Sequence, residues 1–192
     1  DSVTLFFGAI NRERDCEPFI PILNRVLADC GSKVHVQVIH DRFFFDALDT
    51  PHKQFEPLCP YDRYHDILRQ CDVAWLPLND TEFNQMKSDL KFIECAGHGV
   101  VVLASHTVYE RSVIEGQTGL VYRSPDEFEA KLRLLIHNAT LRQKLAENAY
   151  AWVRDNRLLS QHYRQRYNWY LSLLEKRDDL MASLHERVPE LF

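Results

Sequence analysis

Residues 2–40, "SVTLFFGAINRERDCEPFIPILNRVLADCGSKVHVQVIH", carry the pattern on which the fold rests. The apolar run "SVTLFF" ends at Gly8 and has the length and uniformity of a strand buried on both faces. After Pro18, the residues Phe19, Ile22, Leu23, Val26 and Leu27 recur at helical spacing, and the segment stops near Gly31. "VHVQVIH" follows, rich in β-branched side chains, as a second strand. Strand, helix and strand at this spacing predict two parallel strands joined by a right-handed crossover.

The alternation continues outward from there. A short helix at 44–48 and an edge strand before Pro57 are expected next, then a helix over 61–69 with Tyr64, Ile67 and Leu68 inward. "DVAWLPL" predicts a strand ended by Pro77, which has no amide to give a ladder. "KSDLKFIECAGHGVVVLAS", residues 87–105, reads as a short helix opening near Ser88 or Asp89, a glycine turn and a buried strand. "EGQTGLVY" is a turn and a short strand. "SPDE" at 124–127 puts a serine at the cap, a proline at the first helical position and a glutamate at the third, ahead of the stripe Phe128, Leu132, Leu135 and Ile136. A helix over 141–154 carries Leu145, Ala149 and Trp152 on one side. A last long helix carries Leu159, Tyr163, Tyr167, Tyr170 and Leu174, a stripe that reads as core rather than as a binding platform. The fold class is α/β: a Rossmann-like three-layer domain with a mainly parallel sheet and a helical C-terminal extension, covering 1–176, with 177–192 as a terminal helical tail.

Composition narrows the function. A formal net charge of -5 gives no electrostatic reason to expect nucleic acid as a partner. No run of 18 apolar residues predicts a transmembrane segment. Five cysteines, odd in number and without a C-x-x-C pair, fit a reducing, cytoplasmic compartment. The chain opens on Asp1 rather than Met, so a piece of a longer protein is expected.

In an open parallel sheet, ligands gather beyond the carboxyl ends of the strands, which selects residues 8–12, 40–42, 76–80 and 84–91. Neither G-x-G-x-x-G nor G-K-[ST] is present. Gly8 permits a close turn, and Asn11 and Arg12 can donate to a phosphate; the charges of Arg12, Glu13, Arg14 and Asp15 also fit a solvated cluster. The helix opening at Ser88 or Asp89 offers free amides to an anion. Lys91 and Glu94, three apart, share a face on which the lysine can meet a phosphate and the glutamate sugar hydroxyls; the same spacing fits an ordinary surface ion pair. His40, Asp41 and Arg42 suggest a polar rim, where a metal would need His52 or His65 as a third ligand, and no metal site is expected. His98, between two glycines, fits a ligand contact or a turn histidine. Ser105 and His106 lack a G-x-S-x-G elbow, which argues against a hydrolase triad.

The stretch at 87–105, followed by "VIEGQTGLVYRSPDEFEAKLRLLIHNATLRQKLAENAYAWV", resembles the C-terminal, donor-binding half of the two-domain GT-B glycosyltransferases of the retaining, glycogen-synthase-like superfamily (glycosyltransferase group 1, family 4-like). The likeness runs from "FFGAINRE" to about Leu174 and is most specific over 88–120. It implies a nucleoside diphosphate sugar, such as a UDP- or GDP-sugar, as donor, with no metal required. It also implies an N-terminal Rossmann-like domain of the same protein that holds a saccharide, protein or lipid acceptor, and a place in the cytoplasm or at a membrane periphery. By the same likeness Glu94 binds the ribose, Lys91 and Arg12 are the catalytic cations at the diphosphate, and Leu58 and Cys59 meet the base. Gly8, Asn11, Ser88 and Asp89 complete the donor pocket, and Gly116, Thr118 and Gly119 form a structural turn. Two positions depart from the pattern: Met86 stands where the first glutamate of a pair spaced eight apart is usual, with Asp89 or Glu82 as substitutes, and Val101 replaces a common proline. The departure at Met86 leaves open a domain that binds a nucleotide sugar or a protein without catalysing transfer.

Overall fold

The computed structural model describes residues 2–10 and 12–192, so Asn11, expected at the donor pocket, lies outside the described residues. Among these residues six strands form one sheet: β1 (Val3–Gly8), β2 (Val34–Ile39), β3 (Lys53–Glu56), β4 (Val73–Leu76), β5 (Val101–Ser105) and β6 (Leu120–Tyr122). Their spatial order is β3-β2-β1-β4-β5-β6 and each pairing is parallel, with Val3 opposite Val34, Gly8 opposite Ile39 and Leu5 opposite Val73. Helices α1 (Glu13–Cys16) and α2 (Ile20–Cys30) cross from β1 to β2, α3 (Arg42–Ala47) leads to β3, and α4 (Tyr61–Leu68) precedes β4. Helices α5 (Glu82–Gln85) and α6 (Leu90–Gly97) join β4 to β5, and α7 (His106–Tyr109) follows β5. Helices α8 (Pro125–His137), α9 (Ala139–Asn156), α10 (Leu159–Glu175) and α11 (Arg177–Arg187) follow β6.

Because side chains alternate along a strand, the inner strands feed both layers. Val3, Leu5, Phe7, Val73, Trp75, Val101 and Leu103 join α2 and α8 in one core, while Phe6, Ala74, Leu76, Val102 and Ala104 join α4 and α6 in the other. The stripes expected on α2 and α8 are buried, apart from Phe19 and Ile22, which lie at the margin of the core, and Ser124 Oγ accepts from the Glu127 amide at 3.1 Å. Trp75 sits at the centre, its indole N–H donating to Tyr122 Oη at 3.0 Å, so its one polar atom is satisfied in an apolar layer.

The chain divides into two compact units, Asp1–Arg154 and Asp155–Phe192. Within the first, α9 buries Leu145, Ala149 and Val153, and Trp152 packs half-buried on Phe92 with ring centroids 5.6 Å apart. The second corrects an expectation: the stripe on α10 is not core, with exposures running from 51% at Tyr163 to 69% at Leu174. Helices α10 and α11 contain no buried residue, since a helical pair of this size offers no second apolar face large enough to cover the stripe.

The turn before β6 illustrates how tightly the sheet is packed. Gly116 has φ +68°, and Thr118 Oγ1 accepts from the Ile114 amide at 2.9 Å. A methyl group on Gly119 would lie 2.6 Å from Val102 Cγ2 and 2.9 Å from Val113 Cγ1. Chemical denaturation of Gly119→Ala is therefore expected to show a loss of about 1–3 kcal/mol from overpacking. Gly97→Ala, where a methyl group meets nothing within 4 Å, should stay within about 0.5 kcal/mol of the parent.

Candidate functional site

Strand order reverses between β1 and β4, and loops leaving the two flanks diverge at the carboxyl edge of the sheet. A cavity of about 400 Å³ opens beside this point. Gly8, Ala9, Ile10 and Arg12 line it after β1, and Ile39 and His40 at the end of β2. Leu58 and Cys59 border it ahead of α4, Tyr61 and Tyr64 from α4 itself, and Leu90, Lys91 and Glu94 from α6. The structure thus brings Gly8, Arg12, Leu58, Cys59, Lys91 and Glu94 to one concave surface.

Arg12 is aimed by a buried polar knot. Its Nη1 donates to Asp15 Oδ2 at 3.0 Å and reaches Asn84 Oδ1 at 3.5 Å. Asp15 Oδ1 in turn accepts from the Asn79 amide at 2.9 Å and from Asn84 Nδ2 at 3.0 Å. Asp15 is only 6% exposed, so it is not part of a solvated cluster but the anchor that fastens the loop after β1 to the loop after β4. Asp15 did not stand out in the sequence as a site residue, and Asn84 stood only at the edge of the stretch selected at 84–91. The i, i+3 spacing of Arg12 and Asp15 was the one local signal, and the pairing of Asp15 with Asn84 had none.

Lys91 and Glu94 share a face, as spacing predicts, yet they do not form an ion pair. Tyr61 Oη donates to Glu94 Oε1 at 2.8 Å and Tyr64 Oη to Glu94 Oε2 at 3.1 Å. Lys91 Nζ stands 5.3 Å from the centre of the Tyr64 ring. Burial holds the Lys91 ammonium below the ordinary lysine value, with Glu94 opposing the shift. Burial, with the nearby Cys95 and Glu94, raises the Tyr64 phenol far above its usual value, and the bond to Glu94 raises that of Tyr61, so both phenols remain donors at any ordinary pH. Lys87, not singled out in the sequence, is held low by burial and by the neighbouring Arg12 charge.

Other expected residues take different places. Helix α6 opens at Asp89, its N-cap residue, with Leu90 the first helical residue; the Asp89 carboxylate accepts from the Ser112 hydroxyl. The amides of Leu90 and Lys91, both on cavity-lining residues, have no intrahelical partner. Ser88 is exposed, and neither Ser88 nor Asp89 lines the cavity. Of the polar rim only His40 reaches it, in a left-handed conformation with φ 69°. Asp41 is buried and caps α3 through the Phe44 amide at 2.9 Å, and Arg42 turns to Asp46 and lies over Phe45 and Phe55. Leu78, Asn79 and Asp80 border a separate cavity of about 180 Å³ with Ser105 and His106, so the stretch at 76–80 does not line the main cavity as the other three do. Met86 is 85% exposed and Glu82 is exposed, both away from the main cavity. His98 lies at the C-cap of α6, in contact with His65 Nδ1, outside that cavity. Among the described residues no group of three or more His, Cys, Asp or Glu side chains could hold a metal ion, and no helix is long and apolar enough to cross a membrane.

Comparison with known proteins agrees with this fold. A family model described as "Glycosyl transferase-like" matches residues 25–172, well over half of the chain. The chain belongs to this glycosyl transferase-like family, and its fold is one half of a GT-B fold. It is similar to the C-terminal domain of the glycosyl transferase group 1 family protein LpcC from Francisella tularensis, at 18% identity and a TM-score of 0.65, over 81% of this chain and 85% of that one. It is also similar to HepE from Anabaena in complex with UDP, at 14% identity and a TM-score of 0.71, over 90% of this chain and 49% of that one. Sucrose-phosphate synthase from Thermosynechococcus elongatus matches at 13% identity with a TM-score of 0.70, over 91% of this chain and 46% of that one. The chain thus spans less than half of HepE and of the synthase. None of the curated proteins compared with it matches.

The His65–His98 contact joins α4 to the end of α6, and protonation of His98 is expected to make the fold less stable in acid. Burial, then the charges of His65 and Arg69, hold His98 below its ordinary 6.5, while Glu94 opposes them. The unfolded chain therefore binds more protons just below pH 6.5. The contribution of neutral His98 to stability is complete above that value and is lost as the pH falls toward the lower folded value. Thermal melts should show Tm falling below about pH 6.5, with a shallower fall in His98→Gln; equal slopes in the two proteins would remove His98 as the cause.

Proposed function

We propose that this domain is the donor-binding half of a retaining glycosyltransferase and holds a nucleoside diphosphate sugar in the cavity between β1, α4 and α6. The observation that carries this reading is the convergence of two cations, Arg12 and Lys91, and one carboxylate, Glu94, on an otherwise largely apolar cavity at the switch point of the sheet. Lys91, Arg12 and the first amides of α6 meet the diphosphate, Glu94 accepts from the ribose hydroxyls, and Leu58 and Cys59 border the base. When the bond from sugar to diphosphate breaks, negative charge grows on the leaving phosphate. Lys91 and Arg12 stabilise that charge more in the transition state than in the ground state, which is the condition for catalysis. Lys91 suits this role because it is partly desolvated and enters no ion pair among the described residues, so an anion restores what burial removed. Two cations and helix amides supply this charge stabilisation without a metal ion. HepE, whose fold this chain shares, is described in complex with UDP and with UDP-glucose, which supports a nucleoside diphosphate sugar as the ligand here. The acceptor and the rest of the catalytic cleft belong to the remainder of a longer protein, as the share of HepE that this chain spans suggests.

A second reading has one observation in its favour. Met86 takes the place of the first glutamate and is turned to solvent, so position 86 brings no carboxylate to the transferred sugar. A domain that binds nucleotide sugar without transferring it would look the same in the cavity and differ in turnover.

Titration calorimetry with UDP and with GDP tests the site. Each charge-assisted contact is worth about 1.5–3 kcal/mol, so Lys91→Ala and Glu94→Ala should each weaken binding roughly 10- to 100-fold. Unchanged affinity in both variants would overturn the assignment. Binding that persists without sugar transfer in the full-length protein would favour the second reading.

A further inference from the structure

A lysine and a glutamate one helical turn apart ordinarily find each other, and a pair that closed on itself would offer a ligand neither charge. Here Glu94 is drawn off by two phenol donors, one on each oxygen, and Lys91 is seated over a tyrosine ring. Tyr61 and Tyr64 are themselves three apart on α4, and their rings are parallel to within 4° with centroids 6.0 Å apart. Tyr64 is wedged edge-on against Phe6 of β1, centroids 5.8 Å apart, and Tyr61 stands edge-on to His65 at 4.1 Å, so both hydroxyls are delivered from a fixed base.

We propose that Tyr61 and Tyr64 are positioning residues that set selectivity for a ribose diol: they orient the Glu94 carboxylate, and Tyr64 also seats Lys91 for the diphosphate. This rests on the reading of Glu94 as the ribose acceptor. A carboxylate offers about four lone-pair directions, two on each oxygen. One phenol on each oxygen fills half of them and fixes the plane of the group. The capacity that remains is one direction on each of two adjacent oxygens, which suits two adjacent hydroxyls and is half used by a deoxyribose. Neither phenol ionises at ordinary pH, so the orientation does not lapse with modest changes in pH.

The test compares UDP with 2′-deoxy-UDP, and GDP with 2′-deoxy-GDP, by calorimetry on the parent protein and on Tyr61→Phe, Tyr64→Phe and Tyr64→Leu. The parent should prefer the ribonucleotide by roughly 10-fold, in line with one lost hydrogen bond to a charged group. Tyr64→Phe, which keeps the ring under Lys91, should cut that preference by at least about 3-fold by weakening the ribonucleotide while leaving the deoxy form nearly unchanged. Tyr64→Leu should in addition weaken both forms. A merely structural role would lower both affinities of Tyr64→Phe by one factor, and that outcome overturns the proposal, as does a parent that binds the two sugars equally. Should Tyr64→Phe misfold, Tyr61→Phe carries the test alone, because that ring is 61% exposed; an unaltered preference there overturns the role of the pair. Glu94-dependent UDP binding with a preference untouched by the tyrosine variants would sink this inference and leave the donor reading standing. Absence of nucleotide binding would end both.

Discussion

Strand β1 is hydrogen-bonded on both sides, to β2 over its whole length and to β4 through Leu5 and Phe6, and everything functional hangs on that placement. The chain builds outward from β1 to one edge, then returns to build from β4 to the other. At the strand where the direction changes, the loops at the carboxyl edge separate, and the space between them cannot be filled without crossing connections. The two apolar cores hold this arrangement from both faces, so the crevice is a consequence of how the sheet is buried rather than of any one loop.

Within the crevice Lys91 and Glu94 are kept from neutralising one another at the ligand's expense. Lys91 rests on an aromatic face and Glu94 is tied to neutral donors, while Arg12 is held in place by its ion pair with Asp15. Burying an ammonium without a direct ion-pair partner costs stability, and a position where a fold tolerates that cost is one where a ligand can recover it. The long span of contacts is part of the same design: Asp15 and Asn84 are brought together across the sheet edge, as are Tyr64 and Glu94, so the site exists only once the sheet has assembled.

Much of the fold was legible because burial imposes a period on the chain. The apolar stripes of α2 and α8, the serine cap of α8 and the end of β4 before Pro77 each follow from a local rule and stand where the rule puts them. The same period misled at α10. Spacing marks a face as able to be buried, and whether anything covers it depends on the rest of the molecule. Residues 76–80 show a different gap: they leave a strand at the carboxyl edge, as expected, yet lie on the flank that opens into a smaller, separate cavity.

Local chemistry was enough for the parallel α/β architecture and for the pairing of a lysine with a glutamate on one helical face, because helix and strand periods are properties of a few neighbouring residues. The partners of those charges were beyond it. The bonds of Tyr61 and Tyr64 to Glu94 and of Asn84 to Asp15 span 30 to 69 positions, and no spacing rule reaches that far. Only the assembled sheet, with α4 laid beside α6 and the loop after β1 tied to the loop after β4, turns Lys91 and Glu94 from a potential surface ion pair into two separate groups facing one cavity.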